Sequence, residues 1–465
     1  MINWQPHDYQ QRAIRMMITQ GCAGLFLDPG LGKTSISLAS HKLLHDKKII
    51  RGTLVISPLR PAKITWPAEC GKWTQFKDID MVVLHGKDKE ELLKEKHDVY
   101  VINPEGLEWL FQPEWDRKKC KVKAARMTYL MQKFDCLIID ESTKFKNHTS
   151  QRFRLMKATL DWWKRRYILT GTPAPNGIMD LWAQIFLLDG GASLSPFITH
   201  FKNQNFYLRP GSHEWDYVMY PGTVEKVAKQ IDHLVLRMKA EDYLEMPELV
   251  YQRIDVDLSP KAMEQYKELE REFILKVEEG VVTAANSAVL SNKLRQVVSG
   301  ALYMPNSDDI AALHTEKVDA LADLVEELSG QPLLVGMDFR FERAMIEKAV
   351  PHAKFLDGKN DTELIRLFNC GMIPVLVGNP ASVGHGLNLQ EACAHVAFLT
   401  LTWNLENFDQ FIRRVLRQGN KNIRILVHLI VARRTVDEVV WRTLQGKDKT
   451  QTAFLACLRS GSVLV

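Results

Sequence analysis

The stretch Leu25-Phe-Leu-Asp-Pro-Gly-Leu-Gly-Lys-Thr34 joins an apolar run to a glycine-rich turn that ends in Gly32-Lys33-Thr34. In such a turn backbone N–H groups wrap phosphate oxygens, the lysine reaches the outer phosphates and the threonine hydroxyl holds Mg²⁺. Glycine lets the backbone approach the phosphates closely. The strict pattern has a further glycine where this chain has Leu27. The stretch predicts a strand, a phosphate-binding loop and a helix. The predicted nucleotide contacts are Gly30, Leu31, Gly32, Lys33, Thr34 and Ser35.

Length and composition limit the class of protein. The 465 residues indicate two or three domains, and 46% apolar with 25% charged residues are typical of a globular protein. The net charge of +5 permits a polyanionic partner. The seven cysteines include no Cys-x-x-Cys pair, so neither a zinc ribbon nor a disulfide framework is predicted. The start of the chain lacks a signal-peptide pattern and no apolar run reaches membrane-spanning length, so no membrane partner is expected.

Short apolar runs recur along the first half of the chain, separated by segments long enough for helices. This alternation predicts a parallel, doubly wound α/β sheet. In such sheets functional side chains collect at the carboxyl ends of the strands. After the phosphate loop, the predicted strands of this half span residues 52–57, 81–84, 99–102, 136–139 and 167–169.

Two carboxylates, Asp140 and Glu141, directly follow the apolar run that ends at residue 139. Beside a phosphate-binding loop, Asp140 would hold Mg²⁺ through water, together with Thr34, and Glu141 would polarise the attacking water. Strands that end in acidic residues are also common without this role. The occurrence of the pair with Lys33 favours a catalytic site made of all three residues.

Two further stretches of the first half are candidates for the same site. Gln10 lies on a helix predicted at 8–20, and its carboxamide offers the donor and acceptor that an adenine edge requires. A solvated glutamine is the alternative. Thr170, Gly171 and Thr172 follow a predicted strand, where they could sense the γ-phosphate and relay its loss. A tight turn is the alternative there.

The second half repeats the alternation after a break near residues 305–308. It predicts a second sheet of the same class, with helical periodicity at 224–236 and a long helix from Pro260 to about residue 279 between the two. Core packing is one interpretation of these middle helices. The predicted strands of the second half span residues 333–337, 354–356, 375–378, 396–399 and 423–429.

The segment Gln410-Phe-Ile-Arg-Arg-Val-Leu-Arg-Gln-Gly419 is basic. Its spacing predicts Arg414 and Arg417 on one helical face, with Arg413 pointing elsewhere. Planar guanidinium groups suit the spread charge of a phosphoryl-transfer transition state. The alternative is a basic helix paired with surface carboxylates.

Together these stretches resemble the motifs of the Swi/Snf-related ATPases, the double-stranded-DNA translocases of helicase superfamily two. The resemblance rests on residues 30–34, 54–58 with Trp66, Glu69 and Trp73, 140–147, 169–173, 382–389 and 410–419. It implies hydrolysis of ATP with Mg²⁺, two RecA-like lobes with helical insertions between them, Gln10 and Gln410 as nucleotide contacts, and arginine fingers at Arg414 and Arg417. The family usually has alanine and histidine where this chain has Ser142 and Thr143.

The resemblance also implies domain boundaries and nucleic-acid contacts. The expected domains are an ATP-binding lobe at 1–188, helical protrusions and an inter-lobe linker at 189–310, and a second lobe with a closing brace helix at 311–465. The expected nucleic-acid contacts are Ser57, Pro58, Asn103, Ser382, Gly384, His385 and Asn388.

The predicted function is ATP-dependent translocation along the backbone of double-stranded DNA, with single-stranded or branched DNA as further candidate ligands. Movement of this kind would remodel protein–DNA or DNA structures. The expected location is the cytoplasm of a bacterium or of a virus-infected host cell, with the nucleus as an alternative. Two other functions remain open: a strand-separating DNA or RNA helicase, and a nucleotide-dependent DNA clamp or interaction module with little turnover.

Overall fold

A computed structural model describes residues 3–116, 121–124, 126–171, 173–174, 177–208, 217–278, 284–304, 309–358, 360–383 and 387–445. The chain divides into two units, Met1–Leu244 and Glu245–Val465. Each unit is built around one parallel sheet, as the alternating sequence pattern predicts. Every helix within these described ranges is too short or too polar to cross a membrane.

The first unit contains a seven-stranded sheet with the order β11-β1-β8-β7-β2-β4-β3, in which all neighbouring strands are parallel. Two antiparallel hairpins, β5–β6 and β9–β10, lie outside this sheet. In chain order the strands are β1 (Cys22–Leu27), β2 (Thr53–Ile56), β3 (Met81–Val83), β4 (Val99–Ile102), β5 (Pro113–Asp116), β6 (Lys121–Ala124), β7 (Cys136–Asp140), β8 (Arg165–Thr170), β9 (Phe206–Leu208), β10 (Tyr217–Met219) and β11 (Val235–Met238).

Helices connect the parallel strands of this unit, because each crossover must return the chain to the same end of the sheet. They are α1 (Asp8–Thr19), α2 (Lys33–Asp46), α3 (Leu59–Lys63), α4 (Thr65–Lys72), α5 (Lys89–Lys94), α6 (Leu107–Phe111), α7 (Met127–Leu130), α8 (Gln151–Ala158), α9 (Met179–Asp189), α10 (Ile198–Asn205) and α11 (Thr223–Ile231).

The end of the first unit differs from the sequence prediction. The sequence predicts helical periodicity at 224–236, but the helix ends at Ile231. Val235–Met238 instead forms β11, which pairs in parallel with β1. Val235, Leu236 and Met238 are buried in this strand, so sheet packing overrides the local helical pattern. The boundary between the two units, at residues 244 and 245, lies inside the segment 189–310 that the sequence assigns to protrusions and a linker.

The second unit contains a six-stranded parallel sheet with the order β12-β19-β18-β15-β17-β16, and a separate hairpin, β13–β14. Its strands are β12 (Glu248–Val256), β13 (Ala301–Tyr303), β14 (Ile310–Ala312), β15 (Leu333–Gly336), β16 (Lys354–Phe355), β17 (Val375–Gly378), β18 (His395–Phe398) and β19 (Arg424–Ala432). Its helices are α12 (Pro260–Glu278), α13 (Ala284–Ser299), α14 (Glu316–Glu327), α15 (Arg340–Ala349), α16 (Asp361–Asn369), α17 (Pro380–Val383), α18 (Leu405–Ile412) and α19 (Val436–Leu444).

Both faces of the second sheet are covered. Leu334 of β15 belongs to one buried apolar cluster, whereas its neighbours Leu333 and Val335 belong to another. Because successive side chains of a strand point to opposite faces, the sheet separates two cores. This burial explains why β15, β17 and β18 read as continuous apolar runs.

The edge strand β12 is absent from the sequence prediction. It pairs with β19 along its whole length, from Glu248 opposite Arg424 to Val256 opposite Ala432. Most of its side chains are exposed or half-buried, and charges such as Glu248 and Arg253 interrupt the apolar pattern. Polar edge strands of this kind carry a weak sequence signal.

A buried ion pair holds helix α19 against helix α14 in the second unit. Lys317 on α14 donates to Asp437 on α19 at 2.6 Å, and both side chains are almost completely buried. We expect Lys317→Met to lower the free energy of unfolding by about 3–5 kcal/mol, because it leaves the Asp437 charge buried without its partner. Urea denaturation measures the loss, and hydrogen exchange at β19 amides assigns it to this unit.

The control for this prediction is Arg366→Met, which removes an exposed partner of Glu363 and should change stability little. Adding Asp437→Leu to Lys317→Met should recover much of the loss, because no buried charge then remains. Equal stability of Lys317→Met and the wild-type protein would contradict the prediction.

Two buried histidines of the second unit, His395 and His428, lie side by side. His395 Nδ1 lies 3.0 Å from His428 Nε2, and Gln331 Oε1 lies 3.1 Å from His395 Nε2. Burial lowers the pKa of His428 to about 4 and also lowers the pKa of His395. Because unfolded histidine titrates near 6.5, the unfolded chain binds more protons than the folded chain between about pH 6.5 and pH 4.

We therefore expect the free energy of unfolding to fall as the pH drops through this window. Each extra proton bound by the unfolded state contributes about 1.4 kcal/mol per pH unit. His428→Gln retains an amide donor for His395 but does not titrate, so its stability should fall less steeply. Urea denaturation between pH 7 and pH 4 measures both slopes, and parallel curves for the two proteins would contradict the expectation.

Candidate active site

The carboxyl ends of the parallel strands in the first unit lie at the same edge of the sheet. The loop after β1 begins at Asp28, β2 is followed by Ser57, β7 ends at Asp140 and β8 ends at Thr170. Since β7 pairs directly with β8 and β2, the side chains that follow them are neighbours. The edge therefore collects the residues that the sequence predicts for nucleotide chemistry.

The loop between β1 and α2 has the backbone of a phosphate cradle. Gly30 and Gly32 have φ angles of 94° and 80°, in the left-handed region that favours glycine. A Cβ atom on Gly32 would lie 2.5 Å from Gln10 Nε2, so a side chain there would displace the Gln10 carboxamide. Leu27 is completely buried within β1, which places it before the loop and explains why glycine is not required at this position.

Lys33 and Thr34 occupy the first turn of α2, and the N–H groups at a helix N-terminus together with the helix dipole favour an anion. Lys33 Nζ donates to the Leu27 carbonyl at 2.6 Å and therefore lies folded over the loop. A phosphate oxygen can replace this carbonyl as an acceptor. Leu31 is completely buried and anchors the middle of the loop.

Gln10 packs against the loop from α1. Its Oε1 accepts from the His7 N–H at 3.0 Å, and its Nε2 lies 3.3 Å from the Leu31 carbonyl. Both ends of the buried carboxamide therefore contact backbone, and each contact leaves one further N–H or lone pair of the amide for an adenine edge.

Three donors orient Asp140 at the end of β7. Its Oδ2 accepts from Ser57 Oγ at 2.9 Å and from Trp66 Nε1 at 3.1 Å, and its Oδ1 accepts from the Glu141 N–H at 3.1 Å. Ser57, a predicted nucleic-acid contact, is completely buried and its hydroxyl donates to this carboxylate, so its contact with DNA stays a prediction. Pro58 is half-buried, and Asn103 is half-buried and donates to Glu105 at 2.8 Å.

Glu141 follows with a φ angle of 52° and a ψ angle of 59°. This left-handed conformation costs a side-chain-bearing residue about 1–2 kcal/mol, so the surrounding structure must hold it. Strained backbone of this kind is common where a catalytic side chain must be aimed.

Helix α4 contributes contacts that the sequence does not predict. Trp66 donates to Asp140, and Glu69 Oε2 accepts from Ser35 Oγ at 2.8 Å and from Trp73 Nε1 at 2.6 Å. One short helix thus contacts both the carboxylate after β7 and the helix after the phosphate loop. The block from Trp66 to Trp73 was part of the family resemblance, but its spacing gives no indication of which groups it touches.

The turn after β8 packs on the phosphate loop. Thr170 is fully buried, and a Cβ atom on Gly171 would lie 2.9 Å from Pro29 Cδ. Gly171 therefore permits the close approach of the two loops that a coupling role needs. Thr172, the third predicted coupling residue, lies outside the described residues.

In the second unit, α18 ends at Ile412, so Arg414 and Arg417 lie in the turns after the helix. This corrects the prediction that they share a helical face. Arg414 is almost fully buried, with Nε 3.0 Å from the Gln410 carbonyl and a terminal nitrogen 3.2 Å from the Leu387 carbonyl. The Gln410 side chain is buried, and its Nε2 lies 3.4 Å from Glu406 Oε1.

Arg417 is tied to the glycine-rich segment 382–389. Its guanidinium donates to Asn388 Oδ1 and, through Nε, to the Arg413 carbonyl at 3.0 Å. Desolvation lowers the pKa of Arg417 to about 10, which still leaves it charged at neutral pH. The side chains of Ser382 and Asn388 are exposed, as nucleic-acid contacts would require, whereas Gly384 and His385 lie outside the described residues.

Comparison with known proteins supports the same chemistry. A family model described as the SNF2-related domain matches residues 9–301. The chain is 30% identical to protein p41 of Acyrthosiphon pisum secondary endosymbiont phage 1, over 99% of this chain and 100% of that protein. It is 24% identical to the CHD3-type chromatin-remodeling factor PICKLE of Arabidopsis thaliana, over 91% of this chain and 32% of that protein.

A third relative is the DNA annealing helicase and endonuclease ZRANB3 of Mus musculus, which is 26% identical over 68% of this chain and 29% of that protein. The chain thus spans about a third of the length of these two larger relatives. The phosphate loop, the Asp140–Glu141 pair and the turn after β8 all lie within the matched residues. The chain therefore belongs to the SNF2-related family, and it is an enzyme that hydrolyses ATP.

Proposed function

We propose that the protein is an ATP-dependent double-stranded-DNA translocase that couples hydrolysis to movement along the DNA backbone. The observation that carries the proposal is the Asp140–Glu141 turn, held by Ser57 and Trp66 beside a glycine loop with Lys33. Such an arrangement serves nucleotide hydrolysis. The names of the two larger relatives, a chromatin-remodeling factor and a DNA annealing helicase, favour DNA as the substrate on which the energy is used.

In the proposed reaction the phosphates of ATP lie on the N-terminal turn of α2, and Lys33 exchanges the Leu27 carbonyl for a phosphate oxygen. Glu141 accepts the proton of the attacking water. We assign to Arg414 and Arg417 the stabilisation of the transition-state charge, a role that planar guanidinium groups fill well. The left-handed backbone orients Glu141, whereas hydrogen-bond donors orient Asp140. The proposal therefore assigns the two neighbouring carboxylates different roles.

The residues also fit Mg²⁺. Asp140 accepts three hydrogen bonds from fixed donors, which orients its carboxylate as the outer-shell partners of a metal ligand do. Thr34, in the first turn of α2, supplies a hydroxyl of the type that holds this ion in phosphate loops. When bound, Mg²⁺ would supply neutralisation of phosphate charge.

For DNA, the proposal assigns backbone contacts to exposed polar groups such as Ser382 and Asn388. Phosphate contacts carry no sequence information, so tracking should be independent of sequence and binding should weaken steeply with salt. Loss of the γ-phosphate would change the conformation of the loops after β7 and β8 and, through these loops, the affinity for DNA.

The deciding experiment is displacement of a triplex-forming strand from duplex DNA by the purified protein. We expect ATP-dependent displacement, a larger stimulation of ATP hydrolysis by duplex than by single-stranded DNA or RNA, and no displacement by Glu141→Gln. Preferential stimulation by single strands with fork unwinding would support a strand-separating helicase instead. DNA binding without phosphate release would support a nucleotide-dependent clamp and overturn the proposal.

A further inference from the structure

A buried side-chain bridge joins the loops that follow β7 and β8. Ser142, the residue after Glu141, donates through Oγ to Gln184 Oε1 at 2.7 Å, and both side chains are completely buried. Gln184 belongs to α9, 42 residues further along the chain. The family that the chain resembles usually has alanine at this position, so the Ser142 hydroxyl is a feature of this chain.

The second half of the bridge is made by the amide of Gln184. Its Nε2 donates to the Pro173 carbonyl at 2.6 Å and to the Asp180 carbonyl at 2.9 Å. Both donors and the carbonyl of the carboxamide are therefore used, which is the condition under which a buried polar group is stable. A second contact joins the same segments, because Lys146 Nζ, four residues after Ser142, lies 3.7 Å from Asp180 Oδ2.

The bridge begins at the place where the backbone is strained. Glu141 has a φ angle of 52°, and β7 holds it only on its amino-terminal side. On its carboxyl side the next residue is Ser142, whose side chain is anchored on α9. A strained residue persists only when the surrounding structure holds it. The Ser142 anchor, together with the Lys144 N–H that donates to the Glu141 carbonyl at 3.0 Å, therefore contributes to the direction in which Glu141 points.

We propose that Ser142 and Gln184 are positioning residues for ATP hydrolysis, because their bridge holds the Asp140–Glu141 turn in register with the Pro173 turn. They act through Glu141 and through the turn after β8, and neither is a catalytic residue. A shift of either turn changes the length of a bond in the bridge, so the pair transmits displacement between them. The inference rests on ATP hydrolysis alone and does not depend on DNA as the partner.

Three variants test the pair: Ser142→Ala, Gln184→Met and the double variant. A displacement of about 1 Å of a catalytic group costs up to about 10²-fold in rate, so we expect kcat of ATP hydrolysis to fall about 10-fold or more in each single variant. KM for ATP should stay within about twofold, because the phosphate loop is untouched. The double variant should be about as slow as either single variant, because one bridge is lost in all three.

Thermal stability separates this role from a structural one. Ser142→Ala leaves Gln184 Oε1 buried without its donor, and Gln184→Met leaves both the Ser142 hydroxyl and the Pro173 carbonyl without their partner. The double variant removes the Ser142 hydroxyl as well, so its Tm should lie above that of Gln184→Met, with the Pro173 carbonyl accounting for the remaining loss. Ser142→Thr keeps the hydroxyl and should keep most of kcat. The matched control is Ser40→Ala, which removes another buried hydroxyl, bonded to the Ile36 carbonyl at 2.8 Å, and should leave kcat unchanged.

Recovery of both Tm and kcat in the double variant would overturn the proposal, as would single variants with wild-type kcat. If a single variant fails to fold, the double variant alone decides, because a folded double variant with low kcat and unchanged KM supports the bridge. Failure of the translocase proposal, seen as absence of triplex displacement, would leave these measurements unaffected.

Discussion

Glu141→Gln should lower the rate of ATP hydrolysis by about 10²- to 10⁴-fold while nucleotide binding persists. Glutamine has nearly the size of glutamate but does not accept the proton of the attacking water. We assign this role to the Glu141 carboxylate because the residue follows Asp140 at the strand end and has a left-handed backbone. Asp140 keeps its donors Ser57 and Trp66 in the variant, so the rest of the site should remain in place.

Phosphate release under single-turnover and steady-state conditions measures the effect, and a fluorescent ATP analogue measures binding. Lys33→Ala is the informative companion, because it removes a phosphate contact and should weaken binding as well as turnover. The matched control is Glu225→Gln, an exposed residue on α11, which should behave as wild type. Full hydrolysis by purified Glu141→Gln would refute the assigned role.

The sequence predicted the two parallel sheets because their strands are buried on both faces and read as apolar runs. Leu333 to Gly336 is such a run, and the structure confirms it as β15. The sequence does not predict β12 or β11, for different reasons. β12 is a charged edge strand, whereas Val235–Met238 continues a helical pattern and becomes a strand only because β1 offers it a partner.

The residues proposed for the candidate site can also be predicted from the sequence, since Lys33, Asp140 and Glu141 belong to motifs with a known chemical mechanism. The contacts between these motifs cannot be predicted from the sequence. That Trp66 donates to Asp140, or that Ser142 reaches Gln184, depends on how helices pack over the sheet, 74 and 42 residues away along the chain. A buried serine or glutamine has no pattern that reveals its partner before the fold is known.

Arg414→Ala and Arg417→Ala should each lower the rate of ATP hydrolysis by about 10³- to 10⁵-fold, the range of an arginine finger. Both side chains are held by backbone or amide acceptors of their own unit, Arg414 by the Leu387 carbonyl and Arg417 by Asn388. Fixed guanidinium groups need no reorganisation when charge develops on the transferring phosphoryl group. Lysine should not restore the rate, because it lacks the planar fork.

The measurement is phosphate release at saturating ATP, with binding of a fluorescent ATP analogue as the second readout. Binding should change far less than turnover, because an arginine finger acts chiefly in the transition state. Arg413→Ala is the matched control, since it removes a neighbouring guanidinium to which no role is assigned, and it should stay near the wild-type rate. Circular dichroism checks the fold of Arg414→Ala, whose side chain is buried, and the half-exposed Arg417 provides an independent test.

Wild-type turnover in Arg417→Ala would exclude a finger role for that residue, and wild-type turnover in both variants would require a hydrolysis mechanism carried by the first unit alone.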